Sequence, residues 1–237
     1  SSDVCSSDLF MKPVIVMTQT NEVHSHLVDI IHKPFIQLKQ LHFNEKLLDH
    51  SYDWLIFSSK NAVKYFYPYL KNVKVKKVAV IGDKTAQYCN ELGISVDFVP
   101  RDFSQEGFLD EFKISEQHLL LPSSEKARPK LVQQLSKYNE VVKIDLYRPV
   151  PNFKNISQVK SLVRKHQIDA VTFSSSSAVE FYFKEDNVPE FDHYFAIGKQ
   201  TARTILKFNT SVKVANKQTL DSLIDKIIES REQNEIW

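Results

Sequence analysis

Glycine and cysteine are scarce in this chain, with four and two residues among 237. No G-x-G-x-x-G or G-x-x-x-x-G-K-[ST] run occurs, which argues against dinucleotide and NTP sites of those kinds. Cys5 and Cys89 offer neither a disulfide framework nor a C-x-x-C pair, a usage that fits a reducing cytoplasm. H-E-x-x-H is missing too. His24 and His26 stand two apart in what reads as a helical pattern, so they would face different ways rather than share a metal. There is no G-x-S-x-G elbow. Ser123 and Lys126 match S-x-x-K, but no S-D-N or K-T-G accompanies them. No apolar run reaches the 18 residues or so that a membrane span needs. Nor does either charge dominate: 31 basic residues meet 29 acidic ones, for a net charge of +2. That balance speaks against a dedicated nucleic-acid binder, although a total can conceal a local positive patch.

What is present suits a globular fold. Hydrophobic residues make up 42% and charged residues 25%, and the length is near that at which chains divide into domains. Residues 1–10, Ser-Ser-Asp-Val-Cys-Ser-Ser-Asp-Leu-Phe, lack the basic flank and apolar core of a signal peptide. They are expected to be a non-native or disordered leader, with Met11 as the start.

The chain repeats itself. Asp53-Trp54-Leu55-Ile56-Phe57-Ser58-Ser59-Lys60-Asn61-Ala62-Val63 returns as Asp169-Ala170-Val171-Thr172-Phe173-Ser174-Ser175-Ser176-Ser177-Ala178-Val179. At the same offset of 116, Ile81-Gly82-Asp83-Lys84-Thr85-Ala86 falls on Ile197-Gly198-Lys199-Gln200-Thr201-Ala202 without a gap. Each copy is a short apolar run, then small polar residues, then a helical pattern. The runs 55–57, 78–81, 171–173 and 195–197 suit buried parallel strands. Ser59 and Ser177 read as N-caps, the latter with Glu180 at capping-box spacing, and Gly93 as the residue just past a helix end. A weaker echo relates strand 14–18 and a helix around Leu27, Val28 and Ile31 to strand 119–122 and a helix around Leu131, Val132 and Leu135.

Alternating strands and helices of this kind predict an α/β chain of two similar domains, each a parallel sheet flanked by helices. Stretches 33–40 and 141–149 are extended and punctuated by proline, and are expected to be linkers. Domain 1 would then combine 11–36 with 150–237, domain 2 would span 40–146, and the linkers would run side by side as a two-stranded hinge.

Ligands of open parallel sheets settle beyond the carboxyl ends of the strands. There this chain carries 18–20, Ser58 and Ser59, 82–85, 122–124, 174–177 and 198–201. Helix N-termini at such turns attract anions by about 0.3–1 kcal/mol each. The same serines and threonines also read as plain caps, and Gly82 and Gly198 as residues of tight turns.

The D-W-L-I-F-S-S-x-N-A-V segment, the two I-G-x-x-T-A turns and the L-Y-R-P stretch resemble the uroporphyrinogen-III synthase family, in order and spacing, from about Met11 to Ile228. The resemblance implies a bilobed lyase of porphyrin and heme biosynthesis, cytoplasmic and monomeric, with its active site between the domains and no metal or organic cofactor. Its substrate would be hydroxymethylbilane, a linear tetrapyrrole with eight carboxylates. The family's reaction eliminates the terminal hydroxyl, inverts the last ring through a spiro intermediate and closes the macrocycle. Tyr147 falls on the family's tyrosine and is expected to hydrogen-bond or protonate the departing hydroxyl, or else to pack its ring in the hinge. Thr85 and Thr201, with the turns at Gly82 and Gly198, are expected to bind substrate carboxylates, and Ser58, Ser59, Ser174 and Ser175 share that expectation. Lys60 stands where many relatives carry Pro. A different class fits the same layout: a non-catalytic two-lobed binder of an anionic metabolite.

Overall fold

Apolar residues in this chain come in short runs closed by small polar ones, and most of these runs form strands. The computed structural model describes residues 12–184 and 187–233, and the expected leader lies outside them. The chain divides into two compact units. One takes the chain up to Gln37 together with Val150 onward; the other is Leu38–Pro149.

The first unit contains β1 (Val14–Met17), β2 (Asp29–His32), α5 (Phe153–Arg164), β8 (Ala170–Phe173), α6 (Ser176–Phe183), β9 (Tyr194–Ala196), α7 (Lys199–Leu206), β10 (Lys213–Val214) and α8 (Leu220–Glu232). Its sheet has the order β10-β9-β8-β1-β2, all parallel. The strand from the start of the chain is thus central: Val16 pairs with Ile31 on one side and Val171 on the other.

The second sheet is built from β3 (Ile36–Gln40), β4 (Ser51–Phe57), β5 (Lys74–Val80), β6 (His118–Ser124) and β7 (Glu140–Pro151), in the order β3-β7-β6-β4-β5. Strands β4 to β7 are mutually parallel. The α-helices of this unit are α1 (Lys60–Phe66), α2 (Asp83–Glu91), α3 (Gln105–Glu111) and α4 (Lys130–Leu135). Stretches 33–40 and 141–149 are largely taken up by the neighbouring strands β3 and β7, and Leu41 N–H donates to Leu146 O beside them at 2.8 Å.

Successive side chains of a strand point to opposite faces, and here both faces are buried. In the first unit Val16, Val171, Phe173 and Ala196 pack against α5, α6 and α7, whereas Ile15, Met17, Ala170 and Phe195 pack against α8. In the second, Leu55, Phe57, Val80 and Leu120 meet α1 and α2, while Ile56, Ala79, Leu119 and Leu121 meet α3 and α4. Each of the valine, leucine, isoleucine, phenylalanine and methionine side chains among these, taken fully out of water, contributes about 1.5–3 kcal/mol before entropy is counted. This two-faced covering explains why the strands read as continuous apolar runs instead of alternating ones. Among the described residues no helix is long and apolar enough to cross a membrane.

Two expectations fail. Residues 27–31 form no helix: Asp29–His32 is β2, and its Ile30 and Ile31 pack on opposite faces of the sheet, as strand neighbours do. His24 and His26 consequently sit in irregular chain. The cap of α6 is Ser175, not Ser177; the Ser175 Oγ accepts from Ala178 N–H at 3.3 Å, and Ser177 lies exposed inside the helix. Gly93, by contrast, follows α2 with φ +73°, a left-handed conformation that costs glycine nothing.

Candidate active site

In each unit two neighbouring parallel strands, β4 and β5 in one and β8 and β9 in the other, feed directly into helices, which puts small polar residues and helix N-termini along one sheet edge. In the second unit β4 ends at Phe57 and α1 starts at Lys60. Between them Ser59 is extended, and its Oγ accepts from Ala62 N–H at 3.2 Å. The same Oγ lies 3.1 Å from the hydroxyl of Tyr147 on β7. That tyrosine is 6% exposed, packs with Leu55, Phe57 and Ala62, and stacks on Tyr65 of α1 with ring centroids 4.9 Å apart. β6 is the element that carries β7 to this place. It neighbours β4, and its register with β7 slips between Ser123 and Ser124, so that Ser124 pairs with Tyr147. Burial pushes the Tyr147 hydroxyl above its ordinary pKa; the Ser59 hydrogen bond works against that rise, and Tyr65 adds to it. At neutral pH Tyr147 is therefore a protonated phenol, an acid rather than a base.

Beside this pair, β5 leads through Ile81 and Gly82 into α2. Gly82 is extended (φ −130°, ψ 149°), so no left-handed backbone calls for glycine, and a Cβ built there would meet nothing within 4 Å. No side chain caps α2. Lys60 Nζ lies 4.4 Å from the centre of the Tyr88 ring, a cation–π contact between α1 and α2.

The first unit repeats the arrangement with differences. Ser175 caps α6 as Ser59 caps α1. Gly198 opens α7 without a side-chain cap, and a Cβ there would come within 3.1 Å of Gln218. Thr85 and Thr201 take equivalent places in the first turns of α2 and α7, each 5% exposed. Among the described residues neither threonine hydroxyl has a hydrogen-bond partner, nor has that of Ser58 or Ser174, both half-buried. Ser123 is buried and donates to Ser124 O, while Lys126 N–H donates to Ser124 Oγ, so the S-x-x-K spacing forms a turn and not a nucleophile–base pair. Of the residues expected at the site, the structure joins Ser59 and Tyr147 side chain to side chain, and Thr85 N–H donates to Gly82 O at 2.9 Å within the first turn of α2. The others line the same sheet edge of their own unit. Concave surface elsewhere, between α3 and α4 and at the amino ends of β8 and β9, touches none of them.

Compared with known families, residues 21–225 match the model described as uroporphyrinogen-III synthase HemD. The chain belongs to the uroporphyrinogen-III synthase family. That is a family of lyases, and it acts on a small-molecule tetrapyrrole. A Ruminiclostridium josui protein named as the porphyrin biosynthesis protein HemD is 27% identical over 242 residues, covering 91% of this chain and 48% of its own length. The chain thus spans about half of that relative. A provisionally named uroporphyrinogen-III synthase of Methanocaldococcus jannaschii is 31% identical over 192 residues, covering 75% of this chain and 79% of its own. The crystal structure of uroporphyrinogen-III synthetase from Helicobacter pylori shares the fold, with a TM-score of 0.60 over 92% of this chain and 99% of that one, at 15% identity. No comparison favours a non-catalytic binder.

Within the uroporphyrinogen-III synthase frame, sequence reasoning missed the Ser59–Tyr147 contact and the Tyr65 stack. The two partners of the hydrogen bond stand 88 residues apart, and only the order β7-β6-β4 brings them together. The cap of α6 was within reach, since the 116-residue offset sends Ser59 to Ser175.

Proposed function

We propose that the chain closes hydroxymethylbilane to uroporphyrinogen III with inversion of the terminal pyrrole ring, acting as a cytoplasmic monomer without metal or organic cofactor. The observation that carries this reading, within the family, is Tyr147: a buried phenol, protonated at neutral pH, at the carboxyl edge of its sheet and steadied by Ser59 and Tyr65.

The chemistry needs little more than an acid and a fixed shape. The terminal C–O bond breaks as the Tyr147 proton passes to the departing oxygen, and water leaves. The electrophilic carbon left behind is attacked by the substituted position of the last pyrrole, which gives the spiro intermediate, and reopening and reclosure invert the ring. The ring proton lost at closure returns to the phenolate, so protons balance over the cycle. Left alone, the tetrapyrrole closes without inversion, so the protein's larger task is to hold one geometry. The uncapped amides of α2 at Gly82 and of α7 at Gly198 suit carboxylates. Thr85 and Thr201, with Ser58, Ser174 and Ser175, bring hydroxyls to the same turns.

Incubation with hydroxymethylbilane, followed by oxidation and separation of the type I and type III isomers, tests the reading. Type III should dominate. Tyr147→Phe should cut its rate by about 100-fold or more, and undiminished turnover would remove Tyr147 from the chemistry. Thr201→Ala should raise KM more than it lowers kcat if that hydroxyl binds substrate and transition state alike.

A further inference from the structure

A serine hydroxyl has one proton to give and two lone pairs. At Ser59 one lone pair is occupied by Ala62 N–H, and the remaining capacity faces Tyr147. The duplicated unit shows what the fold alone requires. Ser175 makes the same cap to α6 and, among the described residues, has no second partner. Just past β2, the strand that holds β7's place in that sheet, the packed ring is Phe35, stacked on Tyr182 with centroids 5.3 Å apart and planes 5° apart. Capping therefore does not need a phenol, and ring packing does not need a hydroxyl.

We infer that Ser59 is a positioning residue for the reaction: with substrate in place its O–H donates to Tyr147 Oη, which turns the phenol's own proton toward the departing hydroxyl. The chain Ser59 to Tyr147 to leaving group has each hydrogen bond polarising the next. When the proton has gone, the same Ser59 O–H steadies the phenolate until closure of the macrocycle returns a proton. Ser59 keeps its own proton throughout. The stack of Tyr65 on Tyr147 holds the ring in line for this relay. The assignment replaces the expectation that Ser59 binds a substrate carboxylate, because its oxygen is engaged on both sides. It rests on the reading of Tyr147 as the proton donor. Burial raises the Tyr147 pKa, and the Ser59 hydrogen bond opposes that rise, as a donor to the phenol oxygen would.

Three replacements separate the roles. Ser59→Thr keeps both the cap and the donor. Ser59→Asp caps as well as serine but can only accept. Ser59→Ala does neither. The relay predicts near wild-type kcat for Thr and a loss of roughly 10- to 100-fold for both Asp and Ala, with KM little changed and the alkaline limb of the Ser59→Ala profile moved upward. Wild-type kcat in Ser59→Asp would reduce Ser59 to a cap, and a loss confined to KM would make it a binding group; either result overturns the proposal. Should the Asp variant not fold, the Ser59→Ala/Tyr147→Phe cycle decides. Double-variant turnover no lower than that of Tyr147→Phe supports the relay, and multiplied losses overturn it. If Tyr147→Phe alone turns over normally, the tyrosine reading itself has failed. If it is crippled while Ser59→Ala is not, only the serine assignment falls.

Discussion

Asp53 and Asp169 occupy the same position of the duplicated unit and make the same staple. The Asp53 Oδ2 accepts from His118 N–H at 2.9 Å where β6 begins, and the Asp169 Oδ2 accepts from Val14 N–H at 2.6 Å where β1 begins. Their surroundings nevertheless drive them apart. The His118 amide and then the Lys76 ammonium hold Asp53 below the usual carboxylate range, whereas burial pushes Asp169 above it, countered in part by the Val14 amide. A lowered carboxyl contributes stability above its unfolded pKa and loses it as pH falls through the folded value. A raised one does the reverse, favouring the fold in acid and ceasing to as pH rises. Asp53→Asn should therefore lower stability at pH 7 by up to about 1 kcal/mol, a gap that closes below about pH 4. Asp169→Asn should cost nothing at pH 7 or raise stability, since an amide oxygen still accepts from Val14. Urea midpoints of the two variants across pH 3–8 would check this, and parallel curves would contradict it.

Among the elements, α2 and α6 make opposite use of their first turns. Ser175 closes that of α6, so Ser175→Ala should cost about 1 kcal/mol in urea unfolding, while Ser177→Ala stays within about 0.5 kcal/mol. The open turn at Gly82 gives a sharper test. A side chain has room there, so Gly82→Asp should stabilise the fold by a few tenths of a kcal/mol through a new cap. If the α2 amides hold a substrate carboxylate, the same change should raise KM about tenfold or more. Calorimetry and steady-state kinetics on one preparation would show whether stability and affinity move in opposite directions. Most strands could be read from the sequence because burial on both faces leaves uninterrupted apolar runs, and β4, β5, β8 and β9 are closed by Ser or Gly at a helix start. The stretch before β2 misled because Leu27, Val28 and Ile31 mimic helical spacing. Val28 in fact packs beneath the sheet while Leu27 stays 44% exposed. At the site, the residues on each turn could be named, but the bond between Ser59 and Tyr147 depends on strand order and a register slip, neither of which is a local property.

Taken whole, the chain builds one unit from a continuous segment and the other from two. Leu38–Pro149 contains every partner of β4, β5 and β6, so this segment made alone should unfold in urea as one cooperative transition with dispersed amide resonances. Residues 12–37 made alone should show neither. A linked polypeptide of 12–37 and 150–233 should recover both, because Asn152 N–H already donates to Phe35 O at 2.9 Å where the segments meet.

The central place of β1 also has a cost in time. On the ribosome, Val14–Met17 is among the earliest of the described residues to emerge, yet the strand it must lie against, Ala170–Phe173, follows more than 150 residues later. At about 5–20 residues per second that is a wait of roughly 8–30 s. During it the Leu38–Pro149 segment can finish folding, while the side of β1 that β8 will occupy stays without its partner, open to chaperones or to other nascent copies.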